Sequence, residues 1–432
     1  MVLEAGILIL LGVVGAVMAN MGIAVFNDGL RPVVPENLEG RMSRKELSVT
    51  AFAMSFGLVI GFGIPISIAG GILLIHSILL GTDIIGLSLN KGKVSTAVAG
   101  LIGGLYGAGV YFGLQFVVAG FEKLPLNFVE GFNLVGAPVV VSFMVFPAIA
   151  IALQFGVKKG IIAFLVAAIA RQIIVFTNTE QLISIGGTPV VLSPEGIALV
   201  VGMIFLMTFA IREKSDDTSL STLASLFVDR VNRIKKHVWI LMVSGGLISA
   251  AANYLIVAGD PISLNLLSEG KISEGAIASF AKAIGFVPLI ASTAIATGVY
   301  GPAGFTFVFG AGILSPNPLV AAIAGALIIF VEVWLLTYLA KFLDRYPGVR
   351  ASGENIRTAM TRVLEVALLI GGANAANAIV PGFGFFAIAG IYLLNEAAGR
   401  PIVRMAVGPL GAIAVGIIGN ILVLLGLFTP PQ

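Results

Sequence analysis

The amino-acid sequence predicts an all-α polytopic membrane protein, and three observations carry the prediction. Hydrophobic residues make up 58% of the 432 positions and charged residues 11%, where a soluble domain carries about 25% charged residues. Apolar runs of spanning length recur from end to end, at 3–26, 94–119, 196–211, 238–258, 319–340 and 406–428, and mean hydropathy is +1.06. The dyad alternation of a membrane β-barrel, in units of roughly ten residues, is absent from these runs.

The first run has Glu4 as its only charge, no basic leader and no small-residue cleavage site, so it reads as a span and not as a cleavable signal. Most Arg and Lys lie in three polar connections, 27–47, 212–236 and 341–362. The positive-inside rule places all three in the cytoplasm, with Lys158 and Lys159 marking a shorter turn on that side. The connections 121–136, 177–194 and 260–275 are poor in basic residues and read as external. The net charge of +3 is thus loop charge, and no nucleic-acid partner is expected. With no Cys, and His76 and His237 unpaired by any metal-ligand spacing, no metal or cofactor is expected either.

The middle connection divides the chain into a first repeat (1–211), a cytoplasmic linker (212–236) and a second repeat (237–432). Ala19-Asn20 matches Ala252-Asn253, "TAFAMSFGLV" (50–59) lies over "ASFAKAIGFV" (278–287), and "AVAG" (97–100) over "AIAG" (322–325). The basic bias swaps sides between the two halves, which predicts two inverted-topology repeats with an odd number of crossings in each. Parity then demands broken helices or re-entrant hairpins. Residues 48–82 are too many for one span at about 1.5 Å per residue, and "GFGIP" (61–65) is expected to break them into two arms. The second half is expected to break near Pro288 and again through 300–318, where Pro302, Pro316 and Pro318 fall.

Helix breakers are costly in lipid, because an unpaired peptide group there loses several kcal/mol. Transporters place such breaks at the interface of inverted repeats, where free helix ends face the cargo. The breaks at Pro65 and Pro288 are therefore the first candidates for a binding site. Thr293, Thr297 and Tyr300 follow Pro288 and supply hydroxyls suited to a polyol or sugar. Glu332, in "ALIIFVEVWLL", is the clearest carboxylate at bilayer depth, whereas Glu365 reads equally as interfacial. His76 and Asp83 flank "SILLG"; His76 is a proton-relay candidate or an interfacial hydrogen-bonding residue. Asn90, in "LSLNKGK", and its counterpart Asn317, in "LSPNP", close the set with Asn374 and Asn377, one helical turn apart, which would bind cargo or join helices.

Five stretches carry a resemblance: 25–47, 285–309 ("GFVPLIASTAIATGVYGPAGFTFVF"), 314–322 ("LSPNPLVAA"), 354–360 ("ENIRTAM") and 394–406 ("LNEAAGRPIVRMA"). Over essentially the whole chain the sequence resembles the YhfT-type family of bacterial inner-membrane proteins. More distantly it is similar to the membrane components of ascorbate/galactitol phosphotransferase systems. That resemblance implies inverted repeats, a homodimer and an elevator-type motion in the bacterial inner membrane. It assigns no binding residues. A phosphotransferase-like phosphate relay would have to sit on separate cytoplasmic subunits, since this chain has no Cys and no soluble domain.

The expected function is a permease for a small polar solute, sugar-like or anionic, working by elevator-type alternating access. A channel or pore would show a repeated filter motif or acidic ring. An intramembrane enzyme would need a His–Glu or Ser–Lys pair on facing spans. Neither pattern is visible, and no enzymatic activity is expected.

Overall fold

A computed structural model describes residues 2–121, 123–126, 131, 134–135, 138, 141–142, 144–185, 188–189, 192, 194–213 and 220–429. Among them, eight helices are long and apolar enough to cross a membrane, or nine when the bent pair Ile272–Ile284 and Leu289–Thr297 counts as one span. The chain is an all-α multi-pass membrane protein. The helices least covered by protein, Lys93–Gly120 and Val157–Thr179, display Leu101, Leu105, Phe116, Ile161 and Ile169 outward, as lipid contact requires. The connections expected at 121–136, 177–194 and 212–236 fall partly outside the described residues.

In chain order the first elements are α1 (Val2–Met21), α2 (Val33–Leu38), α3 (Arg44–Leu58), α4 (Ile64–Gly70), β1 (Leu73–Leu74), α5 (Ile75–Ser88) and α6 (Lys93–Phe121). Helix α3 starts on a reciprocal cap between Ser43 and Glu46. The break expected at Gly61–Pro65 is not there. Instead a π-turn at Val59–Gly63 carries α3 into α4, with the Ile64 N–H donating to the Val59 carbonyl. The widened turn absorbs the misfit that Pro65 creates. The glycines serve close packing: a Cβ on Gly61 would strike Ala406 and one on Gly63 would strike Ser77. The chain breaks later, at Gly71, whose φ of 66° ends α4.

Next come α7 (Phe146–Phe155), α8 (Val157–Thr179), the two-residue strands β2 (Ser184–Ile185) and β3 (Thr188–Pro189), α9 (Pro194–Arg212) and α10 (Leu220–Lys236). Then follow α11 (Val238–Asn253), β4 (Val257–Ala258), α12 (Pro261–Ser268), α13 (Ile272–Thr297), α14 (Phe307–Leu314), α15 (Pro318–Arg345), α16 (Pro347–Ile379), α17 (Gly384–Ala397) and α18 (Arg404–Leu424). Two of the polar connections and one of the external ones contain helix: 212–236 holds α10, 341–362 is helix on both sides of Tyr346, and 260–275 holds α12. Near the expected break at Pro288, α13 remains helical but bends by 47°. It ends at Gly298, φ 68°, and residues 298–306 run without helix.

Two short parallel bridges cross-connect the chain. Leu73 and Leu74 pair with Val257 and Ala258, and Ala24 pairs with Tyr300, with Val25 N–H donating to the Tyr300 carbonyl and Tyr300 N–H to the Ile23 carbonyl, both at 3.0 Å. Each bridge takes one segment from before the middle connection and one from after it. Around them helices pack backbone to backbone. A Cβ on Gly103 would meet the Gly12 carbonyl, joining α1 to α6, and a Cβ on Gly325 would meet the Gly245 carbonyl, joining α11 to α15.

Candidate functional site

Four helices stop where the chain turns into the bridges, each on a positive-φ residue: Gly22 (65°), Gly71 (66°), Leu255 (54°) and Gly298 (68°). The left-handed conformation ends a helix sharply and is easy only for glycine. The freed peptide groups are then satisfied by side chains. Asp83, on α5, accepts the Phe26 N–H through both oxygens (3.0 and 2.9 Å) and the Asn27 N–H at 2.8 Å. Glu332, on α15, accepts the Phe305 N–H at 2.8 Å and the Tyr300 hydroxyl at 3.0 Å. The Ser67 hydroxyl accepts the Leu74 N–H at 2.8 Å. Asn20 donates to the Gly86, Leu89 and Asn90 carbonyls, and Asn253 does the same for Gly312 and Ser315.

Between these stops lies a cavity of about 360 Å³, within the size range of small-molecule sites. It is lined by residues from the 26–31 turn, α3, the start of α5, the 259–261 turn, α13, the 301–306 turn, α16 and residues 403–405. Its apolar walls include Phe26, Phe62, Phe286, Met54, Leu289 and Met360. Four cationic side chains face three carboxylates in the lining: Arg31, Lys282, Arg357 and Arg404 against Asp28, Asp260 and Glu365.

Most of that charge is paired. Arg31 lies 2.8 Å from Asp28 and donates to the Thr293 hydroxyl at 2.8 Å. Arg357 donates to Glu354 at 2.9 Å. Arg404 binds Glu396 at 2.8 Å and stands 3.8 Å from Glu365. Asp260 caps α12, accepting the Ser263 N–H at 2.9 Å and its hydroxyl at 2.8 Å. Lys282 is different. It is 6% exposed, its ammonium reaches the Gly259 carbonyl only at 3.4 Å, and it lies over the rings of Phe286 (4.9 Å) and Phe309 (5.8 Å). No described carboxylate is within salt-bridge distance; Asp260 and Asp28 act on it only from farther off.

Among the sequence-derived candidates, His76 lines the cavity. Its ring stands edge-on to Phe26 and Phe62, both at 4.9 Å, and its Nδ1 is buried without a hydrogen-bond partner among the described residues. Thr293 touches the site through Arg31, and Asp83 holds the turn that forms one wall. Pro288 sits at the α13 bend, between the lining residues Phe286 and Leu289. Tyr300 and Glu332 stand behind the 301–306 turn. The Thr297 hydroxyl returns to its own helix at the Thr293 carbonyl, 2.6 Å away. Pro65 is buried in α4, outside the lining. Asn90 is exposed at the end of α5. Asn317 caps α15 through the Val320 N–H at 3.0 Å. Asn377 accepts the Gly382 N–H at 3.0 Å and so closes the turn after α16; Asn374 lies one turn earlier, also outside the lining.

Sequence reasoning missed Lys282 and Thr306. The signal for Lys282 was present, as a lone cation in the apolar stretch "ASFAKAIGFV". Thr306 gave none: it lines the cavity with φ 77° and a buried hydroxyl that has no partner among the described residues. Strained backbone of this kind collects at binding sites.

A family model described as "YhfT: Protein of unknown function" matches residues 4–428. The chain is 37% identical over 431 residues to a protein of Escherichia coli (strain K12) described as "Uncharacterized protein YhfT", with 96% of each chain covered. No solved structure matches it significantly.

Proposed function

The chain belongs to the YhfT family, and from that premise we propose that it is a permease of the bacterial inner membrane that moves a small polar solute by elevator-type alternating access. The observation that carries this reading is the cavity's position between segments that correspond in the two halves. Met54 and Lys282 both line it, and they occupy the same place when 50–59 is laid over 278–287. Asn27 and Asp260 both line it, each seven residues on from the paired Asn20 and Asn253.

The same register relates the helix stops. Gly22 and Leu255 follow Asn20 and Asn253 by two residues, and Gly71 and Gly298 precede "LSLN" (87) and "LSPN" (314) by sixteen. This correspondence supports two repeats, 1–211 and 237–432, joined by the linker 212–236. Their inversion is supported by direction. Helix α3 begins at Arg44, whose guanidinium reaches the Asn20 carbonyl, while α13 ends at the Ala296 carbonyl that Arg230 contacts, with Arg233 on the same helix as Arg230 reaching the Gly22 carbonyl. Arg357 and Arg404 are the partly exposed cations of the lining, and the positive-inside rule supports reading this state as open to the cytoplasm.

In this mechanism the cross-bridged core carries the cargo as one hydrogen-bonded body while outer helices such as α8 and α9 stay with the lipid. A homodimer, and separate cytoplasmic subunits for any phosphate relay, follow from the resemblance alone. Saturable, counterflow-competent uptake into proteoliposomes tests the reading. Uptake equal to that of empty vesicles over a broad solute panel, with gradients imposed, would reject it. Unitary currents in a planar bilayer would point to a channel instead.

A further inference from the structure

Among the described residues, three polar groups around the cavity have hydrogen-bonding or charge capacity left unused. They are the Lys282 ammonium, the Thr306 hydroxyl and the His76 Nδ1. A buried ionisable group without an ion-pair partner is expensive inside a membrane protein, and in such proteins it marks a cargo or ion site. The neighbouring carboxylates do not reach Lys282, because Asp28 is ion-paired with Arg31 and Asp260, which caps α12 through Ser263, stays beyond salt-bridge distance of the ammonium. Arg31, Arg357 and Arg404 are taken up by Asp28, Glu354 and Glu396, so among the described lining residues Lys282 is the cation left without an ion pair. The rest of the described lining is mainly ring faces and aliphatic chains, and its polar side chains Asn27 and Thr361 are hydrogen-bonded to Met54, Ser55 and the Arg357 carbonyl.

We propose that the cavity binds a small organic anion with an apolar body, its charge met by Lys282 and its other polar contacts by Thr306 and His76. The inference rests on the permease reading and narrows its substrate class. A sugar would bring many hydroxyls to walls of Phe26, Phe62, Phe286 and Leu289, while the polar side chains beside them, Asn27, Asp28, Arg31 and Thr361, are already engaged within the protein. An anion with one charged end and an apolar remainder matches both parts of the lining. Phe286, beneath the ammonium, keeps Lys282 in place while the cavity is empty, since a cation over a ring face is attracted to it.

The test is equilibrium binding to the full-length protein in lipid nanodiscs, with benzoate, acetate and inorganic phosphate as probes and benzamide and acetamide as neutral isosteres. Benzoate is expected to bind, benzamide to bind at least about tenfold more weakly, and Lys282→Met to weaken benzoate by about ten- to a hundredfold. Lys282→Arg is expected to retain binding. Lys282→Met should still fold, because it removes an uncompensated buried charge and puts there the residue found at position 54; its thermal midpoint, unchanged or raised, confirms this. Failure of every anion to bind the wild-type protein, equal binding of acid and amide, or wild-type affinity in Lys282→Met would each overturn the proposal. The two readings fail separately. Anion binding without counterflow in proteoliposomes rejects the permease and keeps the site, whereas Lys282-independent counterflow of a neutral solute keeps the permease and rejects the anion.

Discussion

The carboxylate of Asp83 accepts the backbone N–H of Phe26 through both of its oxygens, at 3.0 and 2.9 Å. A side chain that looks like a cargo ligand from the sequence is thus spent on the chain's own broken backbone. Glu332 does the same for Phe305 in the other half. The cavity itself is left to Lys282, Thr306 and His76.

Replacing Asp83 should therefore damage stability before it damages recognition. Asp83→Leu leaves the buried Phe26 and Asn27 N–H groups unpaired, at about 1–3 kcal/mol each, and should lower the unfolding midpoint in detergent markedly. Asp83→Asn keeps one accepting oxygen and should lose about half as much.

Glu332 separates a structural role from a cargo role. Glu332→Gln retains an oxygen for the Phe305 N–H, so it should fold and bind benzoate as the wild type does. Glu332→Leu should lower thermal stability. Lost binding in a stably folded Glu332→Gln protein would return this residue to the binding site.

Gly71 isolates the cost of backbone conformation, because a Cβ there meets nothing within 4 Å. Gly71→Ala should cost about 1–2 kcal/mol through its left-handed φ alone. Gly63→Ala, whose Cβ would lie 2.8 Å from the Ser77 nitrogen, should cost more, because backbone must move. Parallel unfolding curves of the two variants check the order.

The matched glycine contacts predict matched failures. Gly103→Val and Gly325→Val each drive a side chain into a facing carbonyl, of Gly12 and of Gly245. Both should lose most of the monodisperse material in size-exclusion chromatography. Gly113→Val, in open space, should behave as wild type.

The absence of cysteine makes the bridges easy to probe. Leu73→Cys with Val257→Cys places two thiols in register across a parallel pair and should cross-link under mild oxidant. Leu73→Cys with Ala258→Cys points them to opposite faces of the pair and should not. Gel mobility after proteolysis of the linker reads the outcome.

What could be read from the sequence follows from which interactions are local. The spans were legible because each apolar run declares its own burial, and α6, α9, α15 and α18 fall within a few residues of the runs that predict them. The break at Gly61–Pro65 was misplaced because Pro65 signals a lost donor, while the compensating π-turn depends on Ala406 and Ser77 packed against Gly61 and Gly63. The true stop at Gly71 needs the β4 partner, almost two hundred residues away, to be visible. Glu332 was legible as a buried carboxylate, but its role was not, because what it binds lies in a turn that only the fold brings near. Lys282 stands alone among apolar neighbours in 278–287, and only the fold shows that it faces a cavity with no described carboxylate within salt-bridge distance of it.

The paired bridges bear on how the protein is made. Segments Ala24–Val25 and Leu73–Leu74 find their partners only at Tyr300 and Val257–Ala258, so a nascent chain halted near residue 211 holds unsatisfied strands in the bilayer. The first half should then persist as an assembly intermediate that quality-control proteases recognise, until translation delivers its complement. Co-expressing 1–211 and 212–432 as separate polypeptides should rescue what neither fragment accumulates alone.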